Sequence, residues 1–512
     1  MKYFICILII IESTVSLAQY SYLNQLFDSI GDQSSESSSN VEVVGDEYVL
    51  WGVRNNGSSV DYYTRRLDLN GQITQENSFT FSNVIYAGIT FSFEYDAESD
   101  EFYLAQGLLN EEEEIEGFHI RFNSELDTIF SRRYDLYPSH TYLWSPEKVS
   151  DGLIILGRRG VPQISNGTGT FLLKVDGLGN IIWNQPLDDA EPGLHHRNNS
   201  LFEEDNKLII LGGKYHPGGA IGVDEFTGLI TVTDILGNVI SQTEIDDSEA
   251  EKLAYLFGVR LMDGNILMVQ DVGYEQFSEF TDPNFMWVKI RLFILDPISE
   301  EIIWQQDYHE DYSLLGYGAS DLIPTPDGGA LILGTNEDPE LGNFSRSFMM
   351  KIAPDGTEEW FKEYTYLNCE TCINYLLDIE LAEDGGYVAV GEFRNVDINP
   401  VETGVWVLKV DACGDVEWQG CEPLNTSQID KTEFNIYPNP TAGDFTINSL
   451  EGERISEYKV GDLSGRTILD QKLRAPQQTL SDHLDVPAGV YIVEIISEMG
   501  KISRQKIQVF RK

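Results

Sequence analysis

Short apolar runs bounded by Gly, Asp and Asn recur along most of this chain. One reads DGGALILG at Asp327–Gly334 and another reads DGGYVAVG at Asp384–Gly391. The runs are rich in Val, Ile, Leu and Tyr and are too short for helices, which is typical of strands. Asp-Gly between two runs supplies the positive backbone angles of a tight hairpin turn. The pattern predicts an all-β protein.

A second glycine turn follows each run and marks a repeat. Its anchor residues are spaced 55, 53, 58, 62, 57 and 58 residues apart, and they are Asp68, Asn123, Asp176, Asp234, Asp296, Ala353 and Asp411. Four short strands in a recurring unit of about fifty residues are the signature of a β-propeller. One such sheet cannot cover both of its apolar faces, whereas radial stacking buries each face against the next sheet. We therefore predict a seven-bladed β-propeller.

Tryptophan and aspartate recur at fixed places in the unit. The tryptophans at the start of the predicted fourth strand are Trp183, Trp304, Trp360 and Trp418. We expect them to pack between blades rather than to stack on a ligand. The anchor aspartates are expected to accept hydrogen bonds from their own turns. Their repetition indicates a scaffold role and not seven catalytic acids.

The unit resembles a propeller repeat common in exported proteins of the Bacteroidetes, in which DGGY and an apolar run precede Lys-x-Asp-x-x-Gly-x-x-x-Trp. Lys174–Trp183 and Lys409–Trp418 match that spelling closely, whereas the first, second and fourth units lack the Trp. The resemblance covers about Val41 to Cys421 and implies the fold. The turn is also similar to the Asp-box of sialidase propellers but lacks its full spelling, so sialidase chemistry is not implied.

Connections of an antiparallel sheet alternate between its two ends, so both glycine turns share one end of each blade. The opposite end receives the connections that vary in length, and variable loops on a rigid scaffold usually carry binding. We predict binding on that face by His195, His196, Arg197, His216, Tyr274, Phe277, Phe280, Asn336, Asp338, Arg394 and Asp397. The adjacent histidines could ligate a metal, but adjacent residues in a loop are more often simply exposed. The aromatic residues could stack on sugar rings or could equally fix a long loop to its blade.

The formal net charge of the chain is -50. A body this acidic argues against nucleic acid as a partner, because phosphate binding needs clustered basic residues. The acidity fits a solvated surface in salty surroundings. Calcium is an alternative, although no stretch spells an EF-hand loop. The chain has no nucleophile elbow, zinc-protease helix, P-loop or dinucleotide fingerprint, so we assign no catalytic residue, cofactor or metal ligand.

The first eighteen residues, MKYFICILIIIESTVSLA, place one Lys before an apolar run and end in Ser-Leu-Ala. This pattern predicts a signal peptide cleaved after Ala18. No later segment is long and apolar enough to span a bilayer. Export leaves Cys369, Cys372, Cys413 and Cys421, and their spacing favours the disulfides Cys369–Cys372 and Cys413–Cys421. Four thiolates on a zinc ion are the alternative.

The last 79 residues alternate apolar and polar positions between turns, as a small β-sandwich does. They resemble the type A C-terminal sorting domain of the type IX secretion system of Bacteroidetes. The matching positions are Tyr437, Pro438, Asn439, Pro440, Gly443, Asp462, Gly465, Arg466, Gly489, Tyr491 and Lys506. The resemblance implies passage through the periplasm, recognition by the type IX machinery, and a sortase-like protease as a second partner. An ordinary immunoglobulin-like binding module is the alternative.

These observations predict a signal peptide at 1–18, a propeller at 19–421, a linker at 422–433 and an immunoglobulin-like sorting domain at 434–512. The expected location is outside the cell or at its surface. The favoured function is a non-enzymatic binding or adhesion module for an extracellular glycan or protein. The alternative is a polysaccharide-active hydrolase or lyase with its site on the variable-loop face, because propeller enzymes often carry their residues in dispersed loops.

Overall fold

The computed structural model of this chain describes residues 22–28, 35–55, 60–80, 84–87, 93–110, 114–137, 140–150, 152–160, 168–188, 195–216, 225–245, 252–253, 256–274, 287–309, 318–337, 345–367, 369, 372–396, 402–417, 434–437, 441, 443–449, 454–462, 467–484, 486, 489–498 and 502–509. Every regular element in these residues is a β-strand. Contacts divide the chain into two compact units, one at Ser21–Gln419 and one beginning at Gly420. No helix that could cross a membrane occurs in the described ranges.

The larger unit consists of antiparallel blades, each with four strands. We name the four strands of a blade A to D in chain order. Blade 1 contains β2 (Ser35–Val44), β3 (Glu47–Asn55), β4 (Val60–Asp68) and β5 (Ile73–Thr80). In blade 2, strand A is split, and the strands are β6 (Val84–Ala87), β7 (Phe93–Asp96), β8 (Glu101–Asn110), β9 (Ile115–Asn123) and β10 (Thr128–Tyr134). Blade 3 contains β11 (Thr141–Val149), β12 (Gly152–Gly160), β13 (Thr168–Val175) and β14 (Ile181–Pro186).

The next three blades repeat this order. Blade 4 contains β15 (His195–Glu204), β16 (Lys207–His216), β17 (Glu225–Asp234) and β18 (Val239–Ile245). In blade 5, strand A is again split, and the strands are β19 (Lys252–Leu253), β20 (Phe257–Arg260), β21 (Ile266–Tyr274), β22 (Trp287–Asp296) and β23 (Glu301–Tyr308). Blade 6 contains β24 (Gly318–Pro324), β25 (Ala330–Glu337), β26 (Ser345–Ile352) and β27 (Glu358–Tyr364).

Blade 7 is built from both ends of the propeller. Its strands A to C are β28 (Cys372–Leu381), β29 (Tyr387–Asn395) and β30 (Glu402–Val410), and its strand D is the N-terminal β1 (Leu23–Asp28). The register of β1 on β30 runs from Leu23 opposite Lys409 to Asp28 opposite Gly404. The expectation that Trp418 begins this fourth strand is therefore wrong, because β1 occupies that edge. Trp418 itself lies outside the described residues.

Each junction between neighbouring blades holds its own hydrophobic cluster. The cluster between blades 7 and 1, for example, joins Val41 and Leu50 to Val390 and Val407. Seven junctions with seven clusters confirm the predicted seven-bladed propeller, in which each blade covers its neighbour's apolar face. Because the blade 7 to 1 cluster also includes Leu23 of β1, the closing strand is packed as well as hydrogen-bonded.

The A–B and C–D turns lie at one end of the blades and span two to five residues, whereas connections at the other end reach twelve. This confirms that the longest connections share one rim, which we name the loop rim. In the C–D turn of blade 4, the Asp234 carboxylate accepts hydrogen bonds from the backbone N–H groups of Leu236 and Asn238, at 2.9 Å each. Gly237 has φ of 81°, which favours glycine. The predicted turn role of the anchor aspartates is confirmed.

The recurring tryptophans lie against the next blade. A β-carbon added at Gly356 of blade 6 would lie 2.4 Å from Trp304 of blade 5, and one added at Gly414 would lie 2.8 Å from Trp360. Trp183 meets Gly237 in the same way. The glycine of each C–D turn is thus required by close packing as well as by its backbone angle. Inter-blade packing of these three tryptophans is confirmed.

The lysine of the Lys-x-Asp repeat has a role that the sequence did not reveal. The Lys409 ammonium group is fully buried and donates hydrogen bonds to Asp384 of the A–B turn, at 2.9 and 3.1 Å, and to the carbonyl of Val410. Lys351 makes the same contact with Asp327 in blade 6. The lysine therefore joins strand C to the A–B turn of its own blade.

The two predicted cysteine pairs have different outcomes. Cys369 and Cys372 form a disulfide, which confirms the first pair and excludes zinc at these two thiols. Cys413 is also disulfide-bonded. Cys421 lies outside the described residues, so the second pair remains a prediction.

The C-terminal unit is a sandwich of two antiparallel sheets. One sheet contains β31 (Phe434–Tyr437), β32 (Asp444–Ser449) and β35 (Thr479–His483), and the other contains β33 (Ile455–Asp462), β34 (Thr467–Gln477), β36 (Gly489–Ser497) and β37 (Ile502–Val509). Its core includes Tyr491 of the predicted sorting positions, whereas Tyr437 is 48% exposed. Gly443 has φ of 124°, where glycine is favoured. Pro438–Pro440, Gly465 and Arg466 lie outside the described residues.

Candidate ligand site in the central channel

The A strands of the propeller surround a central cavity of about 1320 Å³. Its lining combines carboxylic acids and aromatic rings with two arginines, Arg158 and Arg159. The acids are Glu42, Glu94, Glu147, Asp271, Asp321, Asp378 and Glu380. The aromatic residues are Phe93, His140, Tyr142, Trp144, Phe257 and Tyr375. Large concave sites with a few convergent polar groups are the usual places for ligand binding.

Four of these acids occupy one equivalent position of strand A. Register with strand B places Glu42 opposite Val49, Glu94 opposite Tyr103, Glu147 opposite Ile154 and Glu380 opposite Val388. These four residues, which we name the acid arc, come from the consecutive blades 7, 1, 2 and 3. The same position holds Phe202, Val259 and Ile323 in blades 4, 5 and 6. At this position of strand A, the channel is therefore acidic in blades 7, 1, 2 and 3 and apolar in blades 4 to 6, where Asp271 and Asp321 line it at other positions.

Enclosure by protein raises the pKa of every acid in the arc. Burial raises the pKa of Glu94 to about 7, helped by the charge of Asp321. Burial, with the charges of Asp321 and Glu94, raises the pKa of Glu380 to about 8. The pKa values of Glu42 and Glu147 also rise well above the usual range, first through burial and then through neighbouring glutamates. The glutamates of the arc therefore keep their protons to a higher pH than exposed glutamates do.

Three channel acids, one of which is Glu42 of the acid arc, join one blade to the next by hydrogen bonds. The carboxylate of Asp321 in blade 6 accepts a hydrogen bond from the backbone N–H of Ile379 in blade 7, at 3.0 Å. Asp378 of blade 7 accepts one from Val41 of blade 1, at 2.6 Å. Glu42 of blade 1 accepts one from Tyr95 of blade 2, at 3.0 Å. These three carboxylates have a structural function at successive junctions.

Glu94 and Glu147 differ from those acids. Their carboxyl groups have no hydrogen-bond partner among the residues that the structure describes, although both line the cavity. The Glu94 side chain is exposed to the cavity, although protein atoms surround the cavity on all sides of it. A protonated carboxyl group can donate one hydrogen bond and accept others. Glu94 and Glu147 are therefore available to a ligand in the channel.

The structure corrects the predicted surroundings of three candidate residues. His195, His196 and Arg197 belong to β15 and not to a loop, because β16 extends far enough to pair with them at Tyr215, Lys214 and Gly213. Their side chains lie outside the described part of the structure. His216 and Tyr274 end β16 and β21, at the loop rim. Phe277, Phe280, Asp338 and Asp397 lie outside the described residues.

The two remaining candidates are engaged within their own blades. Asn336 donates a hydrogen bond to Glu363 at 2.7 Å. The Arg394 guanidinium contacts Glu392 at 2.5 and 2.9 Å. The sequence analysis did not identify the acid arc, although each of its four glutamates lies one or two residues before the end of strand A. Because the A–B turns differ in length, only the register of strands A and B places the four glutamates at one position.

In the described residues, no group of three or more His, Cys, Asp or Glu side chains is placed to hold a metal ion. The mixture of carboxyl groups and rings instead suits a ligand that has both hydroxyl groups and apolar faces. Aromatic rings supply flat apolar contact, and polar groups fix orientation.

Residues 435–509 match the family described as the secretion system C-terminal sorting domain. The match confirms the predicted type IX sorting domain, and the protein is secreted or displayed at the cell surface. No curated protein matches the sequence.

Solved propeller structures are similar to this chain at low identity. The propeller domain of the trilobed protease from Pyrococcus furiosus is 11% identical, with a TM-score of 0.38, over 73% of this chain and 95% of that one. An α-L-arabinanase from Penicillium chrysogenum, solved with arabinobiose, is 15% identical, with a TM-score of 0.40, over 64% and 94%. A member of the DUF4221 family from Bacteroides vulgatus is 10% identical, with a TM-score of 0.35, over 68% and 100%. Similarities this low say nothing about activity.

Proposed function

We propose that this secreted propeller binds an extracellular carbohydrate in its central channel. The observation that supports the proposal is the pair Glu94 and Glu147, two carboxyl groups that face a large cavity without a described hydrogen-bond partner. Sugar hydroxyl groups both donate and accept hydrogen bonds, and a neutral carboxyl group can do the same. The rings of Tyr142, Trp144 and Phe257 supply apolar faces in the same cavity.

Size and charge narrow the ligand class. At about 1320 Å³, the cavity exceeds the roughly 300–1,000 Å³ of ordinary small-molecule sites, so several sugar units fit whereas a folded protein does not. Anionic polymers are disfavoured, because seven carboxylic acids line the cavity against the two arginines Arg158 and Arg159, and any ionised member of the acid arc repels an anion. Neutral oligosaccharides and the ends of neutral polysaccharides are the expected ligands.

A glycan array probed with the secreted protein, followed by titration calorimetry on the best neutral glycan, tests the proposal. The double variant Glu94→Ala/Glu147→Ala should weaken binding by about tenfold or more, because each lost hydrogen bond costs roughly 1 kcal/mol. Glu244→Ala, which removes an acid on an outer strand, is the matched control and should bind like the parent. Unchanged affinity of the double variant, or no glycan binding at all, contradicts the proposal.

Glycoside hydrolysis is the second candidate. It is favoured by the raised pKa values of Glu94 and Glu380, since such enzymes need one protonated carboxylic acid beside an ionised one. The same glycans should be assayed for new reducing ends. Cleavage that Glu94→Gln abolishes while glycan binding persists would favour the enzyme, and no cleavage with retained binding favours the binding protein.

A further inference from the structure

Three consecutive blades expose pairs of large aliphatic side chains at the start of strand D. The pairs are Ile181 and Ile182 in blade 3, Val239 and Ile240 in blade 4, and Ile302 and Ile303 in blade 5. In a regular strand, one residue of each pair would face the sheet's packed side. A β-bulge at this point leaves Ile182, Ile240 and Ile303 out of the ladder, so both members of each pair are exposed.

The preceding C–D turns extend the same surface. They expose Leu178, Leu236 and Ile298, each between 58% and 71%. The surfaces of blades 3 and 4 are continuous, because Trp183 of blade 3 packs on Gly237 of the blade 4 turn. An ion pair between Lys207 and Glu300 joins blade 4 to the blade 5 turn. We name these nine side chains of blades 3 to 5 the aliphatic band.

The neighbouring blades do not continue the band. At the two bulge positions blade 6 has Glu358 and Glu359, and blade 2 has Thr128 beside a single Ile129. The outer strand of blade 2 also carries Arg132 and Arg133. Charges on edge strands discourage association between molecules. Within the band, β14 carries no charged residue, β18 carries only Glu244, which is paired with Lys214, and β23 carries Glu301 and Asp307, of which Asp307 is paired with Arg291.

We propose that the aliphatic band is a self-association surface and binds the same band of a second copy of this chain across a two-fold axis. Nine half-exposed aliphatic side chains offer roughly 270–540 Å² of apolar area, taking ~30–60 Å² for each. A standard interface buries about 800 Å² per partner, of which somewhat more than half is apolar. The band therefore supplies the apolar area of a standard interface, and a two-fold axis places apolar area on apolar area.

Charge argues against a lipid surface. The net charge of -50 disfavours an anionic membrane, and the band is bordered by the turn carboxylates Asp176, Asp234 and Asp296 and by the exposed Glu301. Apolar area, and not charge, therefore favours a second copy. Two acidic copies repel each other, so association should strengthen as salt screens that repulsion.

Sedimentation equilibrium of the full secreted chain tests the proposal. We expect a dimer with a dissociation constant of about micromolar order, tightening by several-fold between ~0.05 and ~0.5 M NaCl. The variants Ile240→Glu and Ile240→Lys should each weaken dimerisation by at least about tenfold. Ile129→Glu changes the equivalent exposed isoleucine of blade 2, outside the band, and should dimerise like the parent. Thermal melting of all variants shows whether they are folded.

Three results would overturn the proposal. The first is a parent chain that is monomeric at about 100 µM in high salt, whether or not another partner binds the band. The second is an Ile129→Glu variant that dissociates as readily as Ile240→Glu. The third is an Ile240→Lys variant that dimerises more tightly than the parent, which would show that charge and not apolar contact controls association.

Discussion

The channel and the C–D turns use the same chemical group in opposite ways. In the channel, enclosure by protein raises the pKa values of Glu94 and Glu380, and few hydrogen bonds to their carboxylates lower those pKa values again. In the turns, Asp176 and Asp234 accept several hydrogen bonds in open solvent, which lowers their pKa values. An acidic residue in this chain therefore cannot be assigned a role from its type. A turn carboxylate is scaffold, and an unsatisfied channel carboxyl group is a candidate for ligand binding.

The largest expected effect on stability concerns a carboxylate in neither the channel nor a C–D turn: Asp384, which is paired with the buried ammonium group of Lys409. Lys409→Met should destabilise the propeller by about 3–5 kcal/mol, because it leaves the half-enclosed Asp384 without its partner. Lys362→Met removes a partly exposed partner of Asp415 and should cost at most about 1 kcal/mol. Urea unfolding of both variants measures the difference. Equal costs would show that burial does not control the strength of these pairs.

Removing the channel charges should stabilise the fold at alkaline pH. Because the folded pKa values exceed the unfolded value of 4.5, the stability that these glutamates contribute is complete below about pH 4.5 and is lost as pH rises through about 7 to 8. The triple variant Glu94→Gln/Glu147→Gln/Glu380→Gln should therefore melt several degrees higher than the parent near pH 8 and about equally near pH 4.5. Thermal melts across this range measure it, and a lower melting temperature near pH 8 would refute the account of the channel.

The turn aspartates should show the opposite sign. The pKa of Asp234 is lowered below its usual 3.8 first by hydrogen bonds from Asn238, so its contribution is present above pH 3.8 and is lost as pH falls through the folded value. Asp234→Ala should melt below the parent at neutral pH, and the gap should narrow under strongly acidic conditions. A gap that is constant with pH would mean that the carboxylate charge adds nothing to the turn.

The smallest effect is expected at the loop rim. Arg394 pairs with Glu392 and is exposed, so Arg394→Ala should change the free energy of unfolding by less than about 1 kcal/mol. If the channel is the ligand site, glycan affinity should also change by less than about twofold. A loss comparable with that of Glu94→Ala/Glu147→Ala would move the site from the channel to the rim.

The repeat in the sequence was sufficient to predict seven blades, the position of both tight turns and the packing of three tryptophans. It did not predict that β1 completes blade 7, because Leu23–Asp28 precedes the first recognisable unit and carries no turn motif. The buried role of Lys409 was missed because strand C alone does not show that its ammonium group reaches Asp384. The acid arc was missed because only the register of strands A and B shows that four distant glutamates share one position.

The most direct test of the central claim is a carboxyl carbon NMR titration of glutamate-labelled protein, with Glu94→Gln used to assign the Glu94 signal. The account predicts that Glu94 titrates with a pKa of about 7. A value near 4.5, the ordinary value for a glutamate, would contradict the claim that the surrounding channel raises the pKa of this carboxyl group.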